Sequence, residues 1–174
     1  KRLAETGPGV AHCPISNMKL SSGIARIPEM LKLGVRVGLA VDGSASNDGS
    51  DLLEELRTGF LLHRLNSSSA APTGYDMLKI ATRGSASILG RDDIGQIAEG
   101  MAADFFLINM DRLSLTGAQF DVSSMLGTVG YKGNVDYTVV NGRVVVREGR
   151  LTGVDEEKIT AEANQCVSRY LGRS

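Results

Sequence analysis

The residues best placed to do chemistry are Asp42 and its surroundings. Residues 35–41 form an apolar run that ends at Asp42, and a polar loop rich in Gly, Ser and Asn leads from there to a helix that starts near Ser50. Ligands of α/β folds bind beyond the carboxyl ends of the strands. We therefore predict that Asp42 is a catalytic residue and a metal ligand. The alternative is that Asp42 only caps the loop or the next helix, which is a common role for Asp.

Histidine supplies the second candidate. His12 ends a short apolar stretch, residues 9–13, and its place in the alternation directs it towards the same strand edge as Asp42. The other histidine, His63, falls in a predicted helix, where we interpret it as a surface or packing residue. One His and one Asp do not complete a catalytic zinc site, which takes three or four protein ligands. No HxH, HExxH or CxxC spacing supplies the others.

Two other site types fit the loop after Asp42 poorly. A calcium loop would use acids between Asp42 and Asp51, but Ser46 and Asn47 stand where the EF-hand pattern needs an Asp or Asn and then Gly. A doubly wound nucleotide-binding domain would hold phosphate at the helix start near Ser50. The sequence has neither a phosphate loop nor a GxGxxG fingerprint.

The hydrophobic spacing predicts a strand–helix–strand opening, which normally gives parallel strands. Its parts are strands at 9–13 and 35–41, a loop at 14–23 and a helix at 24–33. Further helices are predicted at 51–65, 76–89 and 155–171. Short strands are predicted at 94–98, 103–108, 135–140 and 143–146, the last two joined by Asn141-Gly142, a strong hairpin signal. Because the short strands and the hairpin after Gly90 are antiparallel β features, we predict a domain boundary near residue 90.

Composition excludes some function classes. The chain has 174 residues and a net charge of −1, so no basic stripe indicates nucleic acid. No apolar run approaches the ~18 residues of a membrane span, so we expect no membrane partner. Two cysteines without CxxC spacing favour free thiols and a cytoplasmic location. The first residue is Lys1 rather than Met, and we expect the chain to belong to a longer polypeptide.

Two motifs resemble a known family. HCPISNMKLSSG at residues 12–23 and DGSASN at residues 42–47 resemble the late-barrel region of the amidohydrolase superfamily. The similarity is to the branch that includes adenosylhomocysteine deaminases, chlorohydrolases and 8-oxoguanine deaminase. Residues 94–108 resemble the segment in which such enzymes re-enter a small β-sandwich, and residues 135–151 resemble its last hairpin.

The resemblance implies an α/β fold, the C-terminal portion of a metal-dependent (β/α)8 TIM barrel. Residues 1–90 would be its last strands and helices, residues 91–154 part of a small composite β-sandwich domain, and residues 155–174 a C-terminal helix. A barrel needs about 250 residues. We therefore expect a missing N-terminal barrel half, and a homo-oligomer is a further expectation.

The resemblance also implies a chemistry. Asp42 would bind one divalent metal, zinc, and take a proton from the water on it, while His12 and Asn17 would line the substrate pocket. The activity would be hydrolytic deamination of an aromatic heterocycle by metal-bound water, with an 8-oxoguanine-type purine or pyrimidine as the best candidate. The alternatives are a triazine- or adenosine-type deaminase, a chlorohydrolase of the same branch, or an inactive fragment. The inactive fragment is an alternative because the metal ligands that the family would need besides Asp42 are absent from this sequence.

Overall fold

A computed structural model describes residues 1–172 of the chain. Its backbone contacts divide the chain into two compact units. The first unit comprises Lys1–Ala102 and Met110–Gly133. The second comprises Ala103–Asn109 and the residues from Asn134 onward.

The first unit contains a two-stranded parallel sheet. Strand β1 is Val10–His12 and strand β2 is Val37–Leu39, with Val10 opposite Val37 and His12 opposite Leu39. The predicted strand–helix–strand opening with parallel strands is confirmed. Seven helices of this unit are α1 Arg2–Thr6, α2 Pro14–Lys19, α3 Ile27–Lys32, α4 Leu52–Ser67, α5 Gly74–Lys79, α6 Ser85–Ile88 and α7 Val122–Thr128. A π-helical turn at Ile80–Gly84 joins α5 to α6, and 3-10 turns lie at Ser68–Ala70, Leu113–Leu115 and Ala118–Asp121.

Helix α2 corrects the sequence prediction of a loop over residues 14–23. Pro14 occupies the start of this helix, where its missing N–H group costs no hydrogen bond and its fixed φ is already helical. The next amide, that of Ile15, donates to the side chain of Glu55, which lies 40 residues further along the chain. A local pattern cannot show such a distant acceptor.

Helix α4 follows the predicted bounds closely. Asp51 is its N-cap and accepts hydrogen bonds from the amides of Leu53 and Glu54. The predicted helix at 76–89 is one helical path interrupted by the π turn that ends at Gly84. A side chain at Gly84 would clash with the carbonyl oxygen of Val37, so only glycine allows the turn to approach β2.

The prediction of a strand at 94–98 is wrong. Gly95 and Gly100 adopt left-handed backbone conformations, with φ of 92° and 80°, and the segment forms bends and turns. Residues 91–102 and 110–133 group with the first unit. Within the second of these segments, α7 packs against α4 and α5. The Arg57 guanidinium on α4 donates to the Gly127 carbonyl at 2.8 Å. The division at residue 90 stays a prediction about the domains of the whole protein.

The second unit is built on an antiparallel sheet with the order β3-β4-β5-β6. Its strands are β3 Phe105–Leu107, β4 Tyr137–Val140, β5 Arg143–Arg147 and β6 Arg150–Leu151. The predicted hairpin is confirmed, since Asn141 and Gly142 both have positive φ, 46° and 77°, as a two-residue turn between twisted strands requires. Helix α8, Glu156–Tyr170, begins after the cap Asp155. The end of the predicted segment 155–174 lies outside the described residues.

Within residues 1–172, no helix combines the length and the apolar character needed to cross a bilayer.

Candidate functional site

Asp42 lies just beyond the carboxyl end of β2, with its side chain exposed to solvent. Its Oδ2 accepts a hydrogen bond from the Ser16 hydroxyl at 2.5 Å, and its Oδ1 accepts from the Gly43 amide at 2.7 Å. These two donors lower the pKa of Asp42 below its usual value. The carboxylate is therefore ionised at neutral pH, at the strand edge where the sequence predicted it.

Capping explains Asp42 only in part. Its contact with the Gly43 amide is a loop contact of the kind that Asp commonly makes. The helix that follows is capped by Asp51 instead. Each carboxylate oxygen has two lone pairs, and each oxygen of Asp42 receives one hydrogen bond among those described. The exposed carboxylate thus keeps acceptor capacity for a cation.

Asn17 is half-buried in α2, in the residue after Ser16. Its backbone groups take part in the helix and in the turn that follows. Its carboxamide makes no hydrogen bond to the residues that the structure describes, so one acceptor and two donor hydrogens remain for a ligand. Its proposed contact with a substrate stays a prediction.

His12 lies against His63 of α4. Its Nε2 lies 3.1 Å from the Nε2 of His63, and the two residues are 2% and 0% exposed. Burial and the neighbouring His63 lower the pKa of His12 to about 4, and burial lowers that of His63. Both rings are therefore neutral at pH 7, with one Nε2 donating and the other accepting. The predicted substrate contact of His12 stays untested, and the burial favours a positioning role.

Glu55, which is 0% exposed, is a further residue near the site that the sequence patterns did not predict. Its Oε2 accepts from the Ile15 amide at 3.0 Å and its Oε1 accepts from the Asn47 carboxamide at 2.6 Å. Burial raises the pKa of Glu55, while those two donors act in the opposite direction. The available signal was helical spacing, because Glu55, Gly59 and His63 recur every four residues and share the buried face of α4.

The loops after β1 and β2 also meet at the surface. The Lys19 ammonium at the end of α2 lies 2.6 Å from the Asp48 carboxylate. Both side chains are well exposed, so this ion pair contributes little to stability.

Among residues 1–172 no group of three His, Cys, Asp or Glu side chains could hold a metal ion. Asp42 nevertheless fits the part of a single ligand, because it is exposed, ionised and carries oxygen donors that zinc accepts. The remaining ligands of such a site would have to come from residues other than these.

The family comparison agrees with this geometry. The model of the Amidohydrolase family matches residues 1–145, and the chain therefore belongs to that family.

Particular relatives are similar over almost the whole chain. Hydroxydechloroatrazine ethylaminohydrolase of Pseudomonas sp. strain ADP is 44% identical over 98% of this chain and 36% of its own length. The 8-oxoguanine deaminase of Pseudomonas aeruginosa is 39% identical over 98% of this chain and 38% of its own length. The chain thus spans little more than a third of these curated relatives.

Solved structures give the same result. The zinc complex of atrazine chlorohydrolase from Arthrobacter aurescens TC1 superposes with a TM-score of 0.87 at 36% identity, covering 93% of this chain and 36% of that one. An adenosine deaminase from Xanthomonas campestris with bound zinc superposes with a TM-score of 0.86 at 31% identity, covering 96% and 38%. The mixed α/β fold of this chain is therefore an amidohydrolase fold.

Proposed function

We propose that this chain supplies the Asp42 side of the metal site in a hydrolase that deaminates an aromatic heterocycle. The observation that carries the proposal is the ionised Asp42 carboxylate at the carboxyl end of β2, in a chain of the amidohydrolase family. A carboxylate at that edge of parallel strands is positioned for catalysis rather than for packing.

In this proposal Asp42 holds one divalent metal, zinc, with ligands from elsewhere in the protein. Such a metal supplies water whose pKa is lowered towards neutrality. With the metal bound, the Asp42 carboxylate would be the group of this chain placed to accept a proton and to return it to the leaving amine. The Asp42 carboxylate is exposed and ionised at neutral pH, as a group that accepts a proton must be.

Asn17 is the residue of this chain that we propose to contact the heterocycle. Its carboxamide offers a donor and an acceptor in one plane, which matches the amide-like edge of an oxopurine or a pyrimidine. The predicted role of His12 at the pocket would require its buried ring to become accessible. We therefore propose that His12 acts on the site by fixing the end of β1 against α4.

The best candidate substrate is an 8-oxoguanine-type purine or pyrimidine, supported by the 8-oxoguanine deaminase relative. A triazine is the second candidate, favoured by the 44% identity to a triazine ethylaminohydrolase. Deamination of an adenosine-type substrate and hydrolysis of a chlorinated triazine are further candidates, supported by relatives of the same branch.

We further propose that residues 1–90 are the last strands and helices of a (β/α)8 barrel, and that residues 91–154 contribute to a β-sandwich. The parallel pair β1–β2 and the separate antiparallel sheet support this division. The N-terminal barrel half would then lie in the rest of the protein. Without that half the chain would be an inactive fragment. We also propose that the protein forms a homo-oligomer. A cytoplasmic location is proposed as well, because the thiols of Cys13 and Cys166 are free, as a reducing compartment would keep them.

The test uses the full-length protein that contains this chain. Ammonia release is measured with 8-oxoguanine, isocytosine, adenosine derivatives and aminotriazines, and chloride release with a chlorotriazine. We expect turnover of one substrate class. Asp42→Asn should lower kcat/KM at least ~100-fold, the scale of a lost acid–base group.

Asp51→Asn is the matched control, because Asn caps a helix as well as Asp does and the metal site is untouched. Equal activity of Asp42→Asn and Asp51→Asn, or no turnover of any substrate by zinc-loaded protein, would contradict the proposed function.

A further inference from the structure

A ring of contacts connects Glu55 to Asp42 along two arms. From this ring we infer that Glu55 is a positioning residue that fixes the Asp42 carboxylate, an inference that rests on the proposed role of Asp42. Glu55 itself makes no described hydrogen bond to Asp42. It acts through α2, which follows β1, and through the loop that follows β2.

The first arm runs through Asn47 to the residue before Asp42. The Asn47 carboxamide nitrogen donates to Glu55 Oε1 at 2.6 Å and to the Val41 carbonyl at 2.9 Å. Asn47 is 5% exposed, so neither hydrogen bond is readily replaced by water. Because Val41 directly precedes Asp42, this arm holds the backbone on the N-terminal side of the carboxylate.

The second arm runs through α2 to the carboxylate itself. The Ile15 amide donates to Glu55 Oε2 at 3.0 Å, and the hydroxyl of the next residue, Ser16, donates to Asp42 Oδ2 at 2.5 Å. Ser16 is 2% exposed, which leaves its side chain little freedom. Glu55 thus fixes the start of α2, and α2 in turn fixes one oxygen of Asp42.

The backbone at Asp42 needs such support. Its φ is 66°, in the left-handed region that side-chain-bearing residues adopt at a cost. A strained conformation persists only where its surroundings over-determine it. The two arms do so, because one holds Val41 and the other holds the carboxylate.

Glu55→Gln is the informative variant. Both groups that face Glu55 are donors, so the ionised carboxylate satisfies both, whereas a Gln carboxamide must turn its own N–H2 towards one of them. The side-chain volume hardly changes, but one arm of the ring is broken. Glu54→Gln is the matched control, since Glu54 is an exposed neighbour in the same helical turn.

Two readouts are measured in the zinc-loaded full-length protein. Hydrogen exchange of the Ile15 amide and of the amides of residues 43–49 should accelerate at least ~10-fold in Glu55→Gln and stay unchanged in Glu54→Gln. Since a misplacement of about 1 Å can cost roughly 100-fold in rate, kcat should fall about 10- to 100-fold while KM changes less than ~3-fold. Zinc should dissociate correspondingly faster.

Asn47→Ala provides a second variant in case Glu55→Gln does not fold, because it breaks only the Val41 arm. It should accelerate exchange at residues 43–49 and lower kcat while the Ile15 amide stays protected. Combined with Glu55→Gln, its effect on kcat should be less than the product of the two single effects, as expected for one network.

The outcomes separate this inference from the proposed function. Wild-type kcat and exchange in Glu55→Gln, together with an inactive Asp42→Asn, would overturn the positioning role alone. Accelerated exchange in Glu55→Gln together with an active Asp42→Asn would overturn the metal role of Asp42 and leave the ring as a purely structural device.

Discussion

Acid should destabilise the first unit through the pair His12 and His63. In the unfolded chain a histidine has its ordinary pKa near 6.5, whereas burial and the adjacent ring hold that of His12 at about 4. Between these values the unfolded state binds more protons than the folded state, so folding stability falls as the pH falls. The stabilisation is fully present above pH 6.5 and is lost by about pH 4.

The magnitude follows from the two pKa values. The difference between 6.5 and about 4 corresponds to roughly 3 kcal/mol of unfolding free energy for His12 alone. The lowered pKa of His63 adds to this in the same direction. Protonation of both rings also removes the hydrogen bond between them, because two Nε2–H groups would then face each other across 3.1 Å.

Direct titration is the clearest assay. In the proton NMR spectrum of the full-length protein, the imidazole Cε1–H signals of His12 and His63 are identified as those that disappear in His12→Leu and in His63→Phe, respectively. The His12 signal should keep its neutral shift down to about pH 5, and the pKa of His63 should lie below its ordinary value because of burial. In His63→Phe the pKa of His12 should rise but stay below 6.5, since burial is the larger cause of its lowering.

Urea unfolding from pH 7.5 to 4 measures the energetic consequence. The pKa of Glu55 is raised by burial, so its protonation in the lower part of this range favours the folded state and opposes the loss of stability caused by the histidines. The control is therefore His12→Leu/His63→Leu, which replaces both partners with apolar groups of similar size and should lose the histidine part of the slope. Signals that titrate near pH 6.5, or an unchanged slope in the double variant, would refute the reasoning.

Two further predictions concern local contacts of the first unit. Gly84→Ala should lower the free energy of unfolding by about 2 kcal/mol or more, because the added methyl group meets the Val37 carbonyl. Gly43→Ala is the control, since a methyl group there has no atom within 4 Å and should change the free energy little. Urea unfolding compares the two variants, and equal stability would contradict the close approach of Gly84 to Val37. Thr73→Ala should cost about 1 kcal/mol, because Thr73 and Asp76 form the capping box of α5, while Thr73→Ser keeps the cap and should unfold like the native chain.

Local signals were enough to predict the two strands that precede the site. The apolar run at 35–41 and the stretch at 9–13 contain β2 and β1, and their parallel pairing follows from the helix between them. The hairpin at Asn141-Gly142 was equally predictable, because its turn requires positive φ at both positions. Asp42 was found because a strand end followed by an acid is a local pattern.

Long-range contacts made the rest unpredictable. Helix α2 depends on an acceptor from Glu55, and α7 on packing against α4 and α5. Alternation predicts His12 at the strand edge, whereas its buried contact with His63 joins residues 51 positions apart and has no local signal. The ring that joins Glu55 to Asp42 spans four separate segments, which no spacing rule in the sequence connects.

The most direct measurement is anomalous diffraction at the zinc edge on crystals of the full-length protein loaded with zinc. The account predicts one anomalous peak bonded to an Asp42 carboxylate oxygen at about 2.0–2.2 Å, with the other ligands from outside this chain. A zinc ion held entirely by other residues, with the Asp42 carboxylate bonded only to Ser16 and Gly43, would contradict it.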